Sequence, residues 1–269
     1  MSKKIQTLGL AMLIGVVFAS ACGLLREPDE ASGPIEATPV LMTTNTATLP
    51  DEIDTSYPPP AGSPVPDSFP AIEDDPGENS GDPTPAYPAP GELRVYSISQ
   101  TESRVRFELD EDLRGERKTV VGITDQVAGE IAIELSNLST ARVGVIQINA
   151  RTLITDNNLR NRAIQNEILD TGQYEFITFS PRSIIGLPTQ IEIGEEASFS
   201  IEGDLTIRNI SQPVTFTVVA RAISSDQITG TASAIIKRQD FDLSIPSVPS
   251  VADVEEEVEL YIEFVAYAQ

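Results

Sequence analysis

From residue 95 to the C-terminus, apolar and polar side chains alternate with a period of two. Ala197, Phe199, Ile201, Gly203, Leu205 and Ile207 are interleaved with Ser198, Ser200, Glu202, Asp204, Thr206 and Arg208. Side chains of a strand point alternately to its two faces, so such a segment has one apolar and one wet face. Val214, Phe216, Val218 and Ala220 repeat the pattern after Gln212-Pro213, and Val258, Leu260, Ile262, Phe264 and Ala266 repeat it against Glu257, Glu259 and Glu263. Val127, Gly129, Ile131, Ile133 and Leu135 do so against Glu130 and Glu134, as do Val105, Phe107 and Leu109 against Arg104, Arg106 and Glu108. With further candidates at 141–150, 174–180 and 227–238, the pattern predicts about eight strands. One helix interrupts them over 158–169, capped by Asp156 or Asn157, with Leu159, Ala163, Ile164 and Leu169 as its apolar stripe and Gly172 as its stop. The remaining connections are short, which makes neighbouring strands antiparallel.

Eight half-polar strands form either a sandwich or a closed barrel. Long strands favour closure, because long open edges invite aggregation. An eight-stranded barrel is filled by its own side chains or holds one small ligand. The small residues Gly129, Gly203, Ala220, Ala232, Ala234 and Ala266 on the apolar faces leave room for a guest; a sandwich with a dry core gives the same alternation. The candidate lining residues are Phe107, Val127, Ile131, Ile133, Phe176, Phe199, Ile201, Leu205, Val214, Phe216, Val218, Leu260, Ile262 and Phe264. Arg160 and Arg162, on the helix, read either as a cationic rim for a ligand head group or as surface partners of Glu167 and Asp170.

The N-terminal part of the chain is of another kind. Lys3 and Lys4 precede an uncharged run from Leu8 to Ala21 that ends in Ala19-Ser20-Ala21-Cys22. A run of about 14 residues is short for a membrane span and fits the apolar core of an export signal. Small residues before the chain's one cysteine resemble the lipobox of bacterial lipoproteins, although Ala19 stands where Leu is usual. That resemblance implies a diacylglyceryl thioether on Cys22, and acyl chains bind membranes through roughly 0.8 kcal/mol per buried methylene. Residues 23–94 hold 15 of the 20 prolines and 14 Asp and Glu against only Arg26 and Arg94, with no apolar period. Such a stretch buries too little to offset its ordering entropy and reads as a disordered tether, about 45 Å from end to end as a flexible coil. The expected organisation is therefore a signal over 1–22, a tether over 23–94 and a β-domain over 95–269. The protein would be extracytoplasmic and membrane-anchored, at the cell surface or on the periplasmic side.

A formal charge of −23 repels nucleic acid phosphates and anionic head groups, so no nucleic acid partner is expected. One cysteine excludes an intrachain disulfide. The absence of histidine removes the usual base of Ser and Cys nucleophiles and, with one cysteine, the usual zinc ligands. No phosphate-binding loop or dinucleotide fingerprint is present. The acidic run Asp253, Glu255, Glu256 and Glu257 lacks calcium-loop spacing and reads as a solvated charge cluster. No catalytic residues and no resident cofactor are expected. A homodimer is left open.

The order of motifs over residues 96–269 resembles the YceI-like family of exported bacterial proteins. YSISQTESRVRFEL is similar to its opening strand pair and VAGEIAIEL to its glycine-containing second region. TLITDNNLRNRAIQNEILDTGQYEFITF resembles its helix segment, IEGDLTIRNISQPVTFTV its strand-turn-strand, IIKRQDFDL its Arg-x-x-Phe strand and VADVEEEVELYIEF its closing strand. The resemblance implies an all-β fold: an eight-stranded antiparallel, lipocalin-like barrel with one short helix. It also implies an elongated lumen for a polyisoprenoid-type lipid such as a quinone tail. The chain departs from the pattern at the helix, which has no His-Leu pair; at Glu175, where Pro is usual after Tyr; and at Asn209, where Gly is usual. The functional expectation is a lipid-anchored protein that holds an apolar lipid in a barrel. The alternative is a ligand-free structural or interaction domain at the cell surface.

Overall fold

The computed structural model describes residues 26–40, 92–248 and 250–269. The strands are β1 (Arg94–Ile98), β2 (Arg104–Leu113), β3 (Glu116–Thr124), β4 (Val127–Ala128), β5 (Glu130–Ile133), β6 (Arg142–Val143), β7 (Ile146–Asn149), β8 (Phe176–Ile185), β9 (Glu196–Ile207), β10 (Ile210–Ser224), β11 (Gln227–Lys237), β12 (Val251–Ala252) and β13 (Glu257–Ala268). All of their pairings are antiparallel. Several are sections of one longer run. β1 and β2 both pair with β13, β3 pairs with β2, and β5 pairs with β1. The run that begins as β3 continues into β4, which pairs with β7, and then into β5, which pairs with β6. β7 pairs with β8, and the ladder proceeds through β9, β10 and β11 back to β13. Eight staves thus close into a ring, the β4–β7 pairing joining its two halves.

The sequence pattern misses the first half of the second stave. Glu116–Thr124 carries four charged or polar residues at its start and an outward Val121, so its alternation is weak. Arg114 (φ 55°) and Gly115 (φ 84°) form the two-residue turn before it, and positive φ at both positions matches the twist of a hairpin. At the β9–β10 hairpin the left-handed residue is Arg208 (φ 56°); Asn209, the departure from Gly, does not take a positive φ. The Arg-x-x-Phe segment is likewise not a strand throughout: β11 ends at Lys237, and Arg238–Phe241 is a 3-10 turn. Its Arg238 side chain pairs with Glu256 at 3.1 Å and donates to the carbonyls of Leu243, Val254 and Glu255, holding the segment after β11 against the barrel. Arg117 and Glu255 form a further pair, so part of the acidic run is neutralised by arginine. No cluster of metal-ligating side chains occurs among the described residues.

The helix starts where expected. The Asn157 side chain accepts from the Leu159 and Arg160 amides at 2.9 and 3.2 Å, capping α1 (Asn158–Ala163). A π turn follows at Ile164–Ile168, with the Leu169 amide bonded to the Ile164 carbonyl. The extra residue of that turn carries Leu169, five positions after Ile164, back onto the buried face. The stop is Asp170 (φ 47°) rather than Gly172. Gln165, itself buried, donates to the carbonyls of Arg151 and Leu153 and pins the helix onto the barrel end.

Residues 26–40 do not behave as a free tether; they form a strap along the barrel wall. The Asn166 side chain donates to the Arg26 carbonyl at 2.8 Å, Arg151 to the Glu30 carbonyl at 3.0 Å, and Gln100 to the Ile35 carbonyl at 2.6 Å. The Val40 amide donates to Glu130, and Ile35 is buried. Ser32 donates both its amide (2.8 Å) and its hydroxyl to Glu175, the residue that replaces the family's proline. Expecting disorder throughout 23–94 overlooks these contacts, because single hydrogen-bonding residues leave no periodic signal. Residues 1–25, which include the segment expected to be an export signal and Cys22, and residues 41–91 and 249 lie outside the described residues. Among the described residues no helix is long and apolar enough to cross a membrane.

Burial opposes the charge of Glu175, but the two Ser32 donors, the Asn149 amide and Arg151 outweigh it and hold the carboxyl below its usual range. A carboxylate with a lowered folded pKa stabilises the docked strap above its unfolded value near 4.3, and that contribution is lost as pH falls through the folded value. The Ser32 amide resonance is therefore expected to move only on acidification below the ordinary glutamate value of about 4.3, and to stay fixed in a Glu175→Gln chain.

Candidate functional site

The barrel interior holds two apolar cavities that share no lining residue. On β9, Ile201 lines one and Ile207 the other; on β8 the pair is Phe179 and Ile177; on β13 it is Ile262 and Leu260. The cavities are thus stacked along the barrel, with Gly203 and Leu205 at the level between them. Phe179 and Phe216 meet there edge to face, with centroids 4.9 Å apart. These side chains and Leu205 are buried, forming a waist.

The larger cavity, about 390 Å³, lies under the helix. This volume falls in the range of small-molecule sites, roughly 300–1,000 Å³. Phe107 and Leu109 from β2, Leu260 from β13, Ala163 and Ile168 from the helix, and Ile245 and Val248 from the segment after β11 line it. The smaller, about 120 Å³, is lined by Ile131, Ile133, Phe199, Ile201, Phe216, Val218, Ile262 and Phe264 among others. Val127 and Leu205 are buried in the surrounding core, and Val214 packs against it. Phe176 is corrected: it is 38% exposed, because the alternation of β8 sends Ile177 and Phe179 inward.

The origin of the free volume also differs from expectation. A side chain at Gly129 would collide with Ile146, and one at Gly203 would lie 2.6 Å from the Phe179 ring. The Phe107 ring occupies the space over its cross-strand partner Gly122, and Phe264 that over Gly230. Most inward glycines therefore seat neighbouring side chains, whereas Ala220 and Ala232 do border the smaller cavity.

Three charged residues enter the lining of the larger cavity: Glu111, Arg160 and Arg238. Phe107, Leu109, Glu111 and Leu113 share the inward face of β2, so Glu111 points into the barrel. Arg160 reaches it from the helix at 2.6 Å, with side-chain exposures of 18% and 7%, and also pairs with Asp156. Glu167 and Asp170 are thus not the partners of Arg160, and Arg162 has no ion pair among the described residues. Glu111 was missed, although its place in the β2 alternation marks it as a carboxylate among apolar neighbours. Removing one partner of a buried pair costs about 3–5 kcal/mol; with Arg160 partly exposed, Arg160→Ala is expected to cost about 2–3 kcal/mol in denaturant unfolding. An Arg160→Leu/Glu111→Leu double variant is expected to recover most of that loss.

A closed antiparallel barrel with a mostly apolar interior, a helix over one end and a few ion-paired side chains at its mouth is the architecture of a protein that encloses apolar molecules. The chain belongs to the YceI-like family, whose domain matches residues 96–266. Two solved structures share the fold. One is a polyisoprenoid-binding domain from Saccharophagus degradans implicated in plant cell wall breakdown: 16% identity, TM-score 0.52, 65% of this chain and 99% of that one. The other is BcnA of Burkholderia cenocepacia: 17% identity, TM-score 0.50, 62% of this chain and 98% of that one. No curated protein matches the chain.

Proposed function

We propose that this protein is an exported, lipid-anchored binding protein, not an enzyme, that holds an isoprenoid-type lipid in its barrel. The observation that carries the reading is the 390 Å³ cavity under the helix, whose lining is apolar apart from the ion-paired Arg160, Glu111 and Arg238 and the polar Asn157 and Ser250. A long apolar chain gains about 25 cal/mol for each Å² it withdraws from water, while a polar head group meets these charged side chains. The polyisoprenoid-binding neighbour supports the ligand class. The basic start, apolar run and Ala19-Ser20-Ala21-Cys22 support export and acylation.

The waist sets how the ligand fits. A short chain occupies the larger cavity alone, whereas a longer one must part Phe179 and Phe216 to enter the smaller. Organic extraction of the purified chain followed by mass spectrometry is expected to yield near-stoichiometric isoprenoid lipid. Recovery of none, together with no uptake of a long-chain quinone, would falsify the proposal in favour of a ligand-free domain.

A further inference from the structure

Two features lie at the helix end of the barrel. The strap begins there, with the Arg26 carbonyl held by Asn166 in the same helical run that roofs the larger cavity. Two large apolar side chains stand out into solvent beside it: Leu159, 61% exposed, and Ile154, 54% exposed. Leu159 also lines the cavity, so it sits on the rim. Cys22 is four residues upstream of Arg26, and four extended residues reach at most roughly 14 Å.

We propose that the bilayer holding Cys22 is the partner of this rim: the barrel rests helix-end down on the membrane, with Leu159 and Ile154 in the lipid and the larger cavity opening toward it. The inference rests on reading Cys22 as the anchor. It reverses the view of residues 23–94 as a spacer, because the strap returns the chain to the barrel within a few residues of Cys22. The barrel's other end also has exposed apolar residues, Ile185, Ile193 and Ile223. Ile223, however, lies 13 residues along β10 from Ile210 at the helix end, about 40 Å along the strand and roughly 30 Å along the axis. The leash from Cys22 to Arg26 cannot bring that end to the surface while the strap is docked. A membrane-facing mouth lets an apolar ligand pass between bilayer and barrel without crossing water.

The chain has no tryptophan, so a single introduced indole reports its own surroundings. The full chain is coupled through the Cys22 thiol to a maleimide lipid in phosphatidylcholine vesicles carrying brominated acyl chains. Bromine is expected to quench more than half of the emission of L159W and little of I223W. A Ser32→Pro change, which removes both donors to Glu175 without altering the barrel, is expected to lower the quenching of L159W. No quenching of L159W, equal quenching of I223W, or indifference to Ser32→Pro overturns the proposal. Because the coupling is chemical, these outcomes do not depend on acylation by the cell; the mass of the exported chain tests that reading separately.

Discussion

Replacing Phe216 by alanine is expected to lower stability by about 3–5 kcal/mol and to join the two cavities. Phe216 is buried, packs edge to face on Phe179 and closes the inner end of the smaller cavity. Its truncation removes apolar contacts and leaves a hole that the rigid ladder between β9 and β10 cannot collapse, since 12 consecutive residue pairs fix it. In a domain of this size each kcal/mol shifts the midpoint by about 2–4 °C, so a fall of roughly 6–20 °C is expected. The variant's ligand preference changes as well: with the waist open, longer isoprenoid chains gain contact relative to short ones. They also recover part of the lost stability by mass action. A loss below about 1 kcal/mol would mean the waist is not tightly packed. Unchanged chain-length preference in a destabilised variant would place the ligand wholly in the larger cavity.

Much of the barrel was legible from alternation alone, because each stave has one dry face. β9, β10, β11 and β13 follow the sequence pattern closely. What escaped has a common physical cause: it depends on which side chain meets which, not on period. Phe176 precedes Ile177, so a one-residue error of phase turned an outer residue into an inner one. Gly129 and Gly203 looked like vacancies, yet Ile146 and Phe179 fill them from neighbouring strands. The strap is polar and proline-rich, and its attachment uses isolated donors and acceptors such as Ser32 and Glu175 that composition averages away. Glu175 was nonetheless visible as a departure from the family pattern.

The division of the interior follows from the same packing. Phe179, Phe216 and Leu205 meet at the level where Gly203 admits the Phe179 ring, so the waist is written in a glycine and the aromatic it receives. Above it, the helix and the segment held by Arg238 enclose the larger cavity. That roof is attached through Gln165 and the Arg160–Glu111 pair.

Ala163→Phe tests that assignment most directly. Ala163 belongs to α1 and faces the larger cavity, so a phenyl group there enters the space proposed for the ligand. A phenylalanine carries roughly 150–250 Å² of surface. If it takes half that from the ligand, about 2–3 kcal/mol of burial is lost at 25 cal/mol per Å², a weakening of roughly 30- to 150-fold. The barrel itself is expected to change little in stability, since the added group fills volume already free and occupies no neighbour's place. Titration of a long-chain quinone, with denaturant unfolding of the ligand-free chain alongside, separates the two effects. Weakened binding in a fully stable variant assigns the ligand to the space beneath the helix; undiminished binding moves it to the smaller cavity beyond the waist.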